Sequence, residues 1–177
     1  MTSETLLKRV DRALPSTDLT SGDFEEIVHT HQSMVFSIAF NFLRNRAVAE
    51  ELAQDVFLSL YQNLSSIKSV DHLTFWLRKV TVRRCLDHGR RMKLRSHANI
   101  DDVPEPADIP IDSDILLSRR LERCMTDLSD TARSILVLRY QEDLEPADIA
   151  KIMEMPVNTV KSHLRRTLAR LREKLET

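Results

Sequence analysis

Residues 144–175, LEPADIAKIMEMPVNTVKSHLRRTLARLREKL, contain two prolines that dictate where helices can begin and end. Pro146 fits the first turn of a helix, where its missing N–H would have no partner anyway. From there Ala147, Ile149, Ala150, Ile152 and Met153 recur at three- and four-residue spacing, which gives one apolar face. Pro156 ends that helix, because the residue before a proline is pushed out of the α region. Asn158 then offers a side-chain oxygen to cap a second helix starting at Thr159. Val160, Leu164, Leu168, Leu171 and Leu175 form the inner face of this helix. Its outer face carries Lys161, Ser162, His163, Arg165, Arg166, Arg170, Arg172 and Lys174. A short scaffold helix, a tight turn and a basic second helix describe a helix-turn-helix, whose second helix enters the DNA major groove. A plain helical hairpin with a solvated basic face shares the periodicity. The cationic, hydroxyl-bearing start of the second helix favours DNA.

Composition supports an all-α chain of one or two small domains: there are two glycines in 177 residues, too few for a turn-rich β fold. No Gly-rich phosphate loop is present, so nucleotide binding has no support. Cys85 and Cys124 lack zinc-ligand spacing and read as reduced thiols of a cytoplasmic protein. His29 and His31 fall on different faces of a helix, which argues against a metal site. The first residues are interrupted by charge and too poor in apolar residues for a signal peptide or membrane span. No nucleophile, base or metal constellation suggests an enzyme, and no cofactor is implied.

The formal net charge of −1 conceals strong sorting. Residues 68–95 hold nine basic residues against Asp71 and Asp87. Residues 96–118 hold six acids and no lysine or arginine, and residues 47–64 hold three acids and again no base. Opposite fields on different segments imply several different partners.

Taken in order, residues 2–14 can form a short amphipathic helix ended by Pro15. A helix opened by Ser21 or Asp23 runs to about Leu43, burying Phe24, Ile27, Val28, Val35, Ile38, Ala39 and Phe42. Asn45 caps the next, to about Asn63, with Ala49, Leu52, Ala53, Val56, Phe57, Leu60, Tyr61 and Leu64 on its inner face. Its opposite face shows Glu50, Glu51, Gln54, Asp55, Leu58 and Gln62. Asp71 caps a third helix, to about Arg91, that buries Leu73, Trp76, Leu77 and Val80. Arg78, Lys79, Arg83, Arg84, Arg90 and Arg91 stripe this helix beside Phe75 and Trp76, a combination suited to single-stranded nucleic acid. Residues 96–113, with Pro104, Pro106 and Pro110 among acids, read as a flexible linker. Those 18 residues span at most roughly 60 Å, more than the ~34 Å of one B-DNA turn, so two DNA-contacting domains could share a duplex. Helices over 115–127 and 128–140 support the helix-turn-helix from behind.

Four motifs in this order, AEELAQDVFLSLYQNL (49–64), FWLRKV (75–80) with Asp87 and Arg90-Arg91 behind it, LSDTARSILVLRY (128–140) and ADIAKIMEMPVNTVKSHLRR (147–166), resemble bacterial RNA polymerase sigma factors of the extracytoplasmic-function group, in the sigma-70 family. The resemblance implies two small helical domains joined by an acidic flexible linker. The boundaries would be a tail at 1–21, region 2 at 22–95, the linker at 96–114 and region 4 at 115–177. It implies a monomer when free that binds core RNA polymerase and directs it to promoter DNA, without membrane insertion. Glu51, Gln54, Asp55 and Leu58 would dock on the β′ clamp helices. Lys68, Trp76, Lys79, Arg83, Arg84, Arg90 and Arg91 would recognise and melt the −10 element. Lys161, Ser162, Arg165 and Arg166 would read the −35 element, with region 4 also meeting the β flap. An anti-sigma factor is an expected further partner.

The sequence departs from the family pattern at Arg83, where Asn is usual, and at Glu154 and Asn158, where Gly is usual. The first bears on −10 preference. The turn substitutions are tolerable provided Glu154 avoids the left-handed region, which costs a side-chain-bearing residue roughly 1 kcal/mol. A one-component helix-turn-helix regulator is the alternative. It accounts for residues 144–175 but leaves the acidic strip and the tryptophan-bearing helix without a role.

Overall fold

The structure, a computed structural model, describes residues 21–96, 123–125 and 127–176. The proposed tail helix at 2–14, most of the helix at 115–127 and all of the linker at 96–114 except Ser96, which closes a helix, lie outside the described residues. Among the described residues there is no strand, and the chain divides between Cys85 and Leu86 into two compact units.

The first unit is built on α1 (Ser21–Leu43), α2 (Arg46–Gln62) and the first part of α3 (Val70–Ser96). Val35, Ile38, Ala39 and Phe42 of α1 are buried, as are Ala49, Leu52, Val56, Phe57 and Leu60 of α2. α1 and α2 are joined by two residues only. Arg44 takes a left-handed conformation (φ 55°) and donates its N–H to the Phe40 carbonyl (2.8 Å), and Asn45 then caps α2 through a side-chain acceptor for the Val48 N–H (3.2 Å). A single 3-10 turn, Leu64–Ser66, leads to α3. The cap of α3 is not Asp71 as expected. Ser69 Oγ accepts from the His72 N–H (3.1 Å), and Asp71 sits inside the first turn, where its charge still favours the helix N-terminus.

Further burial expectations change, and Phe24, Val28, Ala53 and Leu64 are half-buried rather than buried. Tyr61 is 58% exposed rather than buried, and α3 buries Thr81, Val82 and Cys85 alongside Leu73 and Leu77, while Trp76 and Val80 are half-buried. Thr81 is tolerated because its hydroxyl donates to the Leu77 carbonyl (2.7 Å) one turn back.

The second unit holds α4 (Asp130–Tyr140), α5 (Pro146–Met153) and α6 (Val157–Glu176). Ser129 caps α4 by accepting from the Ala132 N–H (3.3 Å), and the Arg133 guanidinium ties the preceding chain down by donating to the Met125 (2.9 Å) and Leu128 (3.2 Å) carbonyls. Cys124, Leu128, Ala132, Leu136 and Leu171 form a buried cluster, lined further by Met125, Leu164, Leu168 and Leu175. Ile149, Ala150 and Ile152 of α5 are buried, whereas Ala147 is exposed. α6 starts two residues before the expected Thr159. The Pro156 carbonyl accepts from the Thr159 (2.9 Å) and Val160 (3.2 Å) N–H groups, so Pro156 takes the cap position and Asn158 falls in the first turn.

The turn between α5 and α6 is the sharpest departure. Glu154 is left-handed (φ 53°, ψ 46°), so the condition for a cost-free replacement of glycine at this turn is not met. Its N–H and that of Met155 (3.1 Å) both donate to the Ala150 carbonyl, which closes α5 with the geometry usually given to glycine. These hydrogen bonds go with the left-handed conformation, whose cost is the crowding of the Glu154 Cβ against the following carbonyl.

Candidate polymerase and nucleic-acid interfaces

In the first unit, Glu51, Gln54, Asp55 and Leu58 are all exposed on α2, and Leu58 leaves 57% of its surface in water. Their spacing places them on one side of the helix, away from buried Leu52, Val56 and Leu60. Tyr61, one turn beyond Leu58, extends the apolar part of this face, its ring held edge-on by Phe24 (centroids 5.2 Å apart, 72°). Sequence reasoning assigned Tyr61 to the core. The available signal was its position three residues after Leu58, on the margin between the two faces.

The acidic strip is less bare than residues 47–64 suggest. Glu50 pairs with Arg46 one turn earlier (2.8 Å), and Asp55 pairs with Arg84 of α3 (3.2 Å). Glu51 has no ion pair among the described residues. A shallow groove runs between α1 and α2, lined by Val28, Phe36, Gln54 and Phe57, so Gln54 borders both features.

The predicted −10 residues do not share one environment. Lys68 is exposed, and its N–H donates to His72 Nδ1 (3.1 Å). Trp76 and Lys79 are half-buried and Arg83 is exposed. Arg84 instead reaches α2, donating to Asp55 and to Ser59 Oγ. Arg90 pairs with Asp87 (2.9 Å) and Arg91 donates to the Asp87 carbonyl (3.4 Å), one turn back on the same helix. On α1, burial and the nearby Arg78 charge both hold His31 below its ordinary value of 6.5.

At the start of α6, Lys161, Arg165 and Arg166 are exposed and Ser162 is half-buried. Lys161 and Arg165 share one row, Ser162 and Arg166 the next, and the Arg166 Nε donates to the Ser162 carbonyl (3.2 Å). None of these three cations has an ion pair among the described residues. They are presented by a helix whose opposite face, through Val160, Thr167 and Leu171, is fixed in the core. That arrangement suits phosphate neutralisation and bidentate contacts to base edges.

Both cysteines are buried and free, and burial pushes the Cys85 thiol up to about 12, far from a reactive thiolate. Among the described residues no group of three or more His, Cys, Asp or Glu could hold a metal ion, and no helix is long and apolar enough to cross a membrane.

Family models agree with this layout. The Sigma-70 region 2 model matches residues 27–95, and the Sigma-70 region 4 model matches residues 118–171. The extracytoplasmic-function RNA polymerase sigma factor SigW of Bacillus subtilis is 26% identical over 169 residues, covering 86% of this chain and 88% of its own. The RNA polymerase sigma-E factor of Streptomyces avermitilis is 31% identical over 163 residues, covering 88% of this chain and 86% of its own. Among solved structures, the sigma factor RpoE of Bartonella quintana, in complex with the anti-sigma factor NepR, shares the fold at a TM-score of 0.71 with 20% identity. The match covers 88% of this chain and 98% of that one. The chain belongs to the sigma-70 family, in its extracytoplasmic-function group.

Proposed function

We propose that this chain is a dissociable initiation subunit that binds core RNA polymerase, recognises the −10 and −35 elements of promoters and helps to melt them. It acts in the cytoplasm and makes or breaks no bond itself. Glu51, Gln54, Asp55 and Leu58 dock on the β′ clamp helices. Lys68, Trp76, Lys79, Arg83, Arg90 and Arg91 face the −10 element, and Lys161, Ser162, Arg165 and Arg166 the −35 element. An anti-sigma factor, as captured with the RpoE relative, is a further partner.

One observation carries the reading over a one-component regulator. α2 exposes Leu58, and Glu51, which has no ion pair among the described residues, on a face that the core does not use. A helix-turn-helix acting alone has no need of that face. A basic partner helix with an apolar contact fits it.

The test is reversal of the Glu51 charge together with loss of the apolar contact, Glu51→Lys with Leu58→Ala. Like charges set opposite one another at an interface cost on the order of several kcal/mol. Both positions are exposed, and exposed substitutions shift stability by only about 0.5 kcal/mol. The variant should keep its circular dichroism and its −35 duplex binding, yet lose holoenzyme formation and run-off transcription together. Normal initiation by the double variant would reduce this surface to solvated helix.

A further inference from the structure

Arg84 lies in the basic stripe of α3, and by charge alone it belongs with the DNA-facing residues. Its guanidinium is committed elsewhere. One terminal nitrogen donates to Asp55 Oδ2 (3.2 Å) and the other to Ser59 Oγ. Asp55 and Ser59 are one turn apart on α2, so a single planar fork spans two consecutive positions of one row on the neighbouring helix. The Arg84 side chain is 36% exposed and Asp55 55% exposed, so the pair sits at the rim of the helix contact with its outer side in water.

We propose that Arg84 is a positioning residue for polymerase docking rather than a DNA contact. It fixes one carboxylate oxygen of Asp55 and thereby aims the other outward from the α2 face. This rests on the assignment of that face to the polymerase. Ordering a side chain before association removes part of the cost that association would otherwise carry. A lysine cannot reproduce the effect, because an ammonium is a point charge without the fork that reaches Asp55 and Ser59 together.

The experiment uses the full chain with purified core polymerase and four variants: Asp55→Asn, Arg84→Ala, Arg84→Lys and the Asp55→Asn/Arg84→Ala double. Affinity for core is measured by titration. Binding of a single-stranded −10 oligonucleotide is then measured with core at saturating concentration. Arg84→Ala should weaken core binding about two- to five-fold, the scale of a well-aligned surface ion pair. Arg84→Lys should fall between it and the parent. The double variant should bind no worse than Asp55→Asn, because both substitutions remove one device. Oligonucleotide binding by the saturated holoenzyme should be unchanged.

Additive losses in the double variant, or an Arg84→Ala chain that binds core as the parent does, would overturn the proposal. Tighter core binding by Arg84→Ala would also overturn it, by making Arg84 a competitor for Asp55. A selective loss of oligonucleotide binding would return Arg84 to the DNA surface. If Asp55→Asn leaves core affinity untouched, the polymerase assignment of α2 itself fails, which is a separate result. Arg84→Lys keeps the charge and the aliphatic stem, so it reads the geometry even where the alanine variant folds poorly.

Discussion

Replacing Glu154 by glycine should stabilise the helix-turn-helix, and the gain can be worked from one backbone angle. At φ 53° and ψ 46° the residue lies in the left-handed region. There the Cβ of an L-residue crowds the following carbonyl, at a cost of about 1–2 kcal/mol. Glycine removes that cost but adds backbone freedom to the unfolded chain, which subtracts roughly 0.5–1 kcal/mol. Taken at the centres of both ranges, the difference favours glycine by about 0.75 kcal/mol, equivalent to roughly a three- to four-fold change in the local opening equilibrium. Native-state hydrogen exchange is the right assay, because a chain of two units need not melt as one. Amides of Ile152 and Val160, on either side of the turn and both buried, should exchange about three- to four-fold more slowly in Glu154→Gly. Glu154→Ala is the control, since it deletes the carboxylate and keeps the Cβ. Equal slowing in both variants would assign the effect to the side chain, and faster exchange in Glu154→Gly would refute the strain argument outright.

Alanine at Lys161, Arg165 and Arg166 should weaken −35 duplex binding by the holoenzyme. A position that reads a base should cost about 1–3 kcal/mol and relax sequence preference there, and one that neutralises a phosphate should lower the salt slope by about 0.9. If all three together leave duplex affinity intact, α6 is not the reading helix. His31 predicts a pH effect on folding: its native pKa is depressed, so the unfolded chain takes up the proton first as pH falls below 6.5. Stability should therefore be level above that pH and decline through the window between 6.5 and the lowered value, and His31→Gln should flatten the decline in urea melts at pH 5.5 and 7.5.

Most helices were legible because their periodicity and stop signals coincide. α1 runs over Ser21–Leu43 as the apolar spacing predicts, taking the earlier of the two starts the sequence offers, Ser21 or Asp23, and α5 is bracketed by Pro146 and the break before Pro156. What was not legible depended on choices between equivalent groups or on tertiary partners. Ser69 and Asp71 are both good caps, and hydrogen-bond geometry selected the serine. Asn158 is a good cap too, but the Pro156 carbonyl starts α6 earlier, so the asparagine is carried into the helix. Along α3, charged residues interrupt the apolar spacing, and Thr81 reads as surface until its hydroxyl is seen to be satisfied within the helix. Arg84 could not be separated from its neighbours by sequence, because its partner lies 29 residues away.

The pairing of charges, rather than their number, divides the basic residues by task. Arg84 and Arg90 already hold carboxylates, so a nucleic-acid phosphate would have to displace Asp55 or Asp87 to engage them fully. Lys161, Arg165 and Arg166 have no such competitor among the described residues and give up only water and counterions. The start of α6 is therefore suited to gripping duplex backbone at long range. On α3 less charge is uncommitted, and the proposed −10 contact would draw more on the half-buried Trp76, whose flat face gains most once bases are unstacked. An intact duplex offers no unstacked base, so if α6 and α3 carry the proposed −35 and −10 contacts, the α6 cations hold double-stranded DNA first and the α3 surface gains its partner only as the strands separate.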